Sequence, residues 1–257
     1  MTLKKFFKTA QISLRGQTNG GVLYLLPNIV VNLIYLLPLM FLWKVIAGSG
    51  VDVGMNLKQM LTYTYISALL SELLAVHTFA SAWNYEGKLI GLFTRPYSVF
   101  GQIMAQTAGG WVPMLLLFSL PMAFAAPLFG ITIIPETLWF FPSLLLCVSL
   151  GFAIEFFFVC VTIRLRGMAW LSQVIRMAIT SLFSGTVIPF RILPFGLTRF
   201  FELQPFGSLG GAPLSLFVGT AEPKQIILTQ LFWNAVIWPT AILWFKKSQE
   251  RMVSFGG

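Results

Sequence analysis

Residues 84–102, NYEGKLIGLFTRPYSVFGQ, form a short amphipathic passage between two long apolar runs, and their reading decides the fold. Lys88 and Arg95 carry charge, while Leu89, Ile90, Leu92 and Phe93 offer an apolar face. Pro96 lacks an N–H and disfavours helical geometry at Arg95, so a turn or two of helix has to stop there. The passage is too short to be a domain. It is either a solvated turn held at a membrane surface by two cations or a segment that docks on a soluble partner.

Composition supports the membrane setting. Of 257 residues, 57% are hydrophobic and 10% charged, more apolar side chain than a single soluble core can hide, so the expected fold is an all-α integral membrane protein. The net charge of +9 does not point to nucleic acid, because the cations sit at the ends of hydrophobic runs. Cys147 and Cys160 lie thirteen positions apart in one run. On a helix that is about 20 Å, too far for a disulfide. Neither cysteine has the spacing of a metal site.

Apolar runs long enough to cross about 30 Å of hydrocarbon recur six times, at residues 23–43, 61–82, 111–129, 138–163, 170–190 and 226–245. They predict six transmembrane helices in one transmembrane domain covering residues 1–257. Residues 1–21 precede them. Leu3, Phe6, Phe7, Ala10 and Leu14 share one side of a helical wheel, with Lys4, Lys8, Gln11 and Arg15 opposite. That predicts an amphipathic interface helix, with Gly20 and Gly21 turning the chain into the bilayer. The run after it is longer than the apolar core of a signal peptide and contains Pro27 and Pro38, so cleavage is not expected.

Six crossings place both termini on one side, and the cations choose it. Lys4, Lys5, Lys8, Arg15, Lys88, Arg95, Arg164, Arg166, Lys246, Lys247 and Arg251 fall on the side of the termini; only Lys44, Lys58, Arg191, Arg199 and Lys224 fall opposite. The termini and residues 84–102 are therefore expected in the cytoplasm, and the chain in the cell (inner) membrane. Trp43, Trp83, Trp111, Trp139, Trp170 and Trp244 lie at run ends, where indole favours the interface. The last outer connector, residues 189–225, is rich in both proline and large apolar residues, Phe195 among them. It reads either as a collapsed, lipid-touching loop or as short re-entrant helices at about 196–203 and 213–218, whose backbone must be satisfied by protein.

Four ionisable residues stand inside the runs: Glu72, His77, Glu155 and Arg176. Charge in lipid is costly and marks a pairing or a pathway; Glu155 with Arg176 is the expected buried ion pair. Ser67, Ser71 and Thr78 line one side of the second run, and Ser172, Arg176, Thr180 and Ser184 recur every four residues on the fifth. Such stripes serve close helix packing or line a translocation path. His77 near a run end reads as a hydrogen-bonded interface residue or as a proton relay. No phosphate-binding G-x-x-x-x-G-K-[ST], H-E-x-x-H or G-x-S-x-G sequence occurs, so no enzyme activity and no cofactor are expected on this chain.

The amino-terminal amphipathic segment, the six runs, the connector EGKLIGLFTRPYSVFGQ and the outer passage IPFRILPFGLTRFFELQPFGSLGGAPLSLFVG together resemble ABC-2 type permease subunits over nearly the whole chain. The resemblance implies the membrane subunit of an ATP-binding cassette transporter. It implies export, a homodimer or heterodimer of permeases, and separate P-loop ATPase subunits that carry ATP and Mg. The connector would act as the coupling helix, with Glu86, Lys88, Leu89, Leu92, Phe93 and Arg95 meeting the ATPase, and the second and fifth runs would border the path. An apolar route suits a hydrophobic or amphipathic substrate. Two other readings stay open: a channel or scaffold without nucleotide coupling, and a lipid-modifying enzyme using His77 with Glu72 or Glu86.

Overall fold

The computed structural model describes residues 3–19, 21–50, 54–165, 168–194 and 196–249, and every regular element among them is helical. Gly20, Arg166, Phe195 and Arg251, invoked above, lie outside the described residues.

Four apolar runs fold into rods long enough to cross a membrane. They are α2 (Leu26–Gly48), the rod Val99–Phe129, α8 (Phe140–Arg164) and α12 (Pro223–Gln249). The 99–129 rod is composite, with α6 (Val99–Met114), a π turn (Leu115–Ser119), α7 (Leu120–Ala125) and a closing 3₁₀ turn (Ala126–Phe129). Its start is fixed by Ser98, whose hydroxyl accepts the Gly101 N–H at 3.2 Å. Pro113 and Pro121 each withhold an N–H from the i→i−4 ladder, and the widened π turn lies between them.

The other two runs depart from the expected six continuous helices. The second breaks into α3 (Leu57–Leu69), α4 (Ser71–Leu74) and α5 (Ala80–Tyr85), with no helix over residues 75–79. The fifth holds α9 (Ala169–Phe183), whose 15 residues reach about 22 Å. That is short of the hydrocarbon thickness. Asn56 starts α3 with a reciprocal cap: its side chain accepts the Gln59 N–H at 2.8 Å, and its own N–H donates to Gln59 Oε1 at 3.0 Å.

α8 is the mast of the bundle. Of its most apolar stretch 56% is buried, against 17–22% in the other three rods, whose free flanks are apolar. α12, α11 (Gly211–Phe217), α9, α5 and α4 all pack on it. Phe152, Phe156, Val159 and Cys160 fill one half of the core, where Phe156 meets Phe100 edge-on at 4.5 Å. Cys147 and Cys160 are both buried and free.

The amino-terminal helix, α1 (Leu3–Thr18), lies lengthwise along α6. Lys5 sits 4.6 Å over the Tyr97 ring and the Ser13 hydroxyl donates to the Gln106 carbonyl at 2.7 Å. The backbones close to contact at Gly109, where any Cβ would strike the Ala10 carbonyl. Of the expected apolar face, Phe6, Ala10 and Leu14 are half-buried, while Leu3 and Phe7 stay exposed.

Within residues 189–225, α10 (Leu197–Leu203) and α11 occupy the two places expected to be helical. Gln204 ties this region together. Its amide nitrogen donates to the Phe183 carbonyl at 2.6 Å and the Phe201 carbonyl at 3.0 Å, and its oxygen accepts the Phe206 N–H at 2.8 Å. One side chain thereby closes the ends of both α9 and α10. α11 is core rather than surface, with Leu214 and Leu216 fully buried and Phe217 against Phe140.

Candidate functional site

The break in the second run is organised by the ionisable residues. In residues 75–79 the backbone leaves the helix and loses its internal hydrogen bonds, and where such backbone is buried other groups must replace them. α8 and α9 supply the replacements. Glu155 Oε1 accepts from the Thr78 N–H at 3.2 Å and the Thr78 hydroxyl at 3.0 Å. Arg176 Nη1 donates to the Val76 carbonyl at 3.2 Å. Glu155 Oε2 stands 2.9 Å from Arg176 Nε, off the N–H axis, so the pair is bound by Coulomb attraction more than by a linear hydrogen bond. The expected Glu155–Arg176 ion pair therefore forms, and its partners hold an unwound strand in place.

His77 is drawn into the same knot. Arg176 Nη2 lies 2.6 Å from His77 Nδ1, and the Gln173 amide lies 2.8 Å from His77 Nε2. Guanidinium has only donors, so Nδ1 accepts. The ring proton then sits on Nε2, the imidazole is neutral, and Gln173 must turn its oxygen toward the ring. Glu155, Arg176 and His77 together thus carry no net charge. Gln173 and the Val76 carbonyl were not foreseen. Gln173 lies three residues before Arg176, one helical turn away on the same face, which is the signal that marks it.

The polar stripes are occupied within the protomer. On the second run, the Ser67 hydroxyl donates to the Thr186 carbonyl at 2.7 Å, and Tyr63 does the same to Gly185 at 2.5 Å. On α9, the Ser172 hydroxyl donates to the Phe158 carbonyl at 3.1 Å, and Ser184 meets the Thr186 hydroxyl at 2.9 Å. The Thr180 hydroxyl is buried without a partner, and Ser71 is half-buried. The opposite face of α9 exposes Val174, Ile175, Met177 and Leu182. The stripe Ser172, Arg176, Thr180 and Ser184 thus faces α8 and the second run rather than an open channel.

The connector is a compact turn with one 3₁₀ turn, Ile90–Leu92, rather than a helix from Glu86 to Arg95. Leu89 and Leu92, expected to face a partner, are instead buried in the chain's own core. They act as anchors. The Gln102 amide donates to the Leu92 and Tyr97 carbonyls at 2.9 and 3.1 Å, and the Phe93 ring stacks on Phe245 of α12 at 6.2 Å. What remains outward is Glu86, Lys88, Ile90, Phe93 and Arg95, with Lys88 paired to Glu86 at 2.6 Å.

Among the described residues no group of three or more His, Cys, Asp or Glu is placed to hold a metal ion. No protein-family profile, no curated protein and no solved structure matches the chain.

Proposed function

We propose that the chain is the permease subunit of an ABC-2 type transporter, exporting a hydrophobic or amphipathic substrate with energy from separate P-loop ATPase subunits. The observation that carries this reading is the connector. Its buried leucines and the Phe93–Phe245 stack fix it to the inner end of α12, and its outward side combines two apolar side chains with Lys88 and Arg95. A rigid, amphipathic projection on the cation-rich side is what a soluble motor needs in order to push on a bundle. With Leu89 and Leu92 turned inward, Ile90 and Phe93 take over the apolar contact proposed for them.

In this reading the chain crosses the membrane six times, α3 to α5 serving as a broken second crossing and α9 as a short fifth, with α10 and α11 re-entrant on the outer side. Both termini are cytoplasmic. Broken helices at membrane depth are a device of transporters, tolerated where protein satisfies the freed backbone. Two permeases complete the path, and a route past Ser67, Thr78, Ser172, Arg176, Thr180 and Ser184 requires α8 and α9 to part during the cycle.

The test is to purify the chain gently from its host membranes and identify its stoichiometric companions. A P-loop ATPase is expected, whose nucleotide hydrolysis and transport uncouple when Lys88 and Arg95 are both replaced by Glu while membrane insertion stays normal. Recovery of the chain alone, or full coupling in the double variant, refutes the proposal.

A further inference from the structure

α1, α2, α4, α6 and the unwound residues 75–79 border an open cavity of about 300 Å³, which shares only His77 with the knot at Glu155. Glu72 and His77 line it, with Asn28 and Asn32 of α2 on one side and Trp111 and Phe79 as aromatic walls. Among the described residues no lysine or arginine lines it. We propose that this cavity binds an amphiphilic amine carrying a single positive charge, its ammonium group held by Glu72.

Charge makes the first part of the case. Glu155 and Arg176 neutralise one another, and the hydrogen bond from Arg176 into Nδ1 makes His77 a neutral imidazole. Glu72 forms no hydrogen bond and no ion pair with any described residue. An ionised Glu72 therefore leaves one negative charge over, in surroundings where an unpaired carboxylate is costly and draws either a proton or a cation. The ligand that removes this cost is a monocation.

Donor chemistry makes the second. Glu72 and the side-chain oxygens of Gln17, Asn28 and Asn32 can all accept in this wall, and the Asn32 NH₂ is already given to the Asn28 backbone carbonyl. Ammonium is a donor only, with three N–H groups to give. Trp111 and Phe79 add aromatic rings to the wall, to which a cation is attracted when it sits over a ring face. An anionic headgroup would meet Glu72 with no compensating cation.

Shape makes the third. The volume is at the small end of ligand cavities, enough for a headgroup and the first part of a chain. Val31 lines the cavity and is itself exposed, and it leads onto exposed Ile34 and Tyr35 along α2. A hydrocarbon tail leaves by that apolar flank. Two sources provide such a molecule, an amino-headgroup lipid of the bilayer or a free amphiphilic amine. Its role as cargo rests on the permease reading; the binding site itself rests on this geometry alone.

The experiment is equilibrium binding of radiolabelled dodecylammonium to the purified full chain in phosphatidylcholine–phosphatidylglycerol nanodiscs, above the level in empty discs and without nucleotide or ATPase. Dodecanol is the uncharged control. Saturable binding of one amine per chain is expected, weakened at least tenfold by Glu72→Gln and several-fold by Asn28→Leu, with dodecanol showing no saturable component. Thermal melting followed by tryptophan fluorescence identifies which variants are folded, and either folded variant is sufficient for the comparison. Amine binding untouched by the folded variants, or dodecanol binding as tightly as the amine, overturns the proposal. Repeating the titration with phosphatidylethanolamine in the discs separates the sources: competition identifies the bilayer lipid, and its absence a free amphiphile. An ATPase found without amine binding defeats this site and leaves the permease reading standing; amine binding without an ATPase does the reverse.

Discussion

Replacing Arg176 with methionine tests the knot most directly. The substitution keeps an unbranched apolar stem and removes three interactions: the contact to Glu155 at 2.9 Å, the hydrogen bond to the Val76 carbonyl at 3.2 Å and the one to His77 Nδ1 at 2.6 Å. Glu155 is then left charged at 2% exposure. Breaking a buried pair from one side costs about 3–5 kcal/mol. Glu155→Gln alone is damaging for the mirror reason, since its amide NH₂ points at the guanidinium while its oxygen still serves Thr78. In the double variant Glu155→Gln/Arg176→Met both charges are gone, and what remains unmet is the Val76 carbonyl and the His77 nitrogen, about 1–3 kcal/mol each, which Arg176→Met leaves unmet as well. The double variant is therefore expected to be more stable than Arg176→Met. The assay is reversible unfolding in mixed micelles, titrated with dodecyl sulfate and followed by tryptophan fluorescence. Distant, independent substitutions add to within about 0.5 kcal/mol, so a double-variant loss equal to the sum of the singles refutes the coupling. If Arg176→Met instead unfolds no more easily than the natural chain while transport falls, the residue serves the pathway and not the fold.

Two further outcomes separate anchors from contacts elsewhere. Leu89→Ala empties a fully buried position and should cost about 2–5 kcal/mol in the same titration, whereas Ile90→Ala should stay within about 0.5 kcal/mol and, if the proposed ATPase docks on the connector, register only in coupling to it; equal losses in the two would show that the connector is not held by its leucines. Gln204→Leu removes the closure of α9 and α10 and should cost about 2 kcal/mol. Faster tryptic cleavage at the exposed Arg191 and Arg199 should accompany it, and an unchanged cleavage rate would count against Gln204 as the tie.

The four rods were legible because nothing competes with the signal: long apolar runs of helix-tolerant residues fold as helices. Glu155 and Arg176 were legible for the opposite reason, as groups too costly to leave alone. The break at residues 75–79 left no mark in SELLAVHTFAS, which contains neither glycine nor proline. It is imposed by side chains from α8 and α9, and a local reading has no access to them. The inward turn of Leu89 and Leu92 was hidden similarly, since their spacing fits either a docking face or an anchor, and only the position of Phe245 and Gln102 decides. The seat of α1 on α6 was not foreseen; Gly109, where a Cβ would strike the Ala10 carbonyl, is the signal in the sequence that could have shown it.

The break also sets an order of events during biosynthesis. The partner of Thr78 lies 77 residues downstream and that of Val76 lies 100 downstream. At about 5–20 residues per second, ribosomes deliver Arg176 roughly 5–20 s after the strand it must support. Until Glu155 and Arg176 arrive, residues 75–79 carry open backbone without the side chains that support it in the finished fold. In the six-crossing reading this stretch has to wait at the insertion machinery or the membrane surface, so nascent chains truncated before residue 155 should leave it accessible to water-soluble thiol reagents at an engineered Val76→Cys, a position buried in the finished fold. Chains extended past residue 183 should close it.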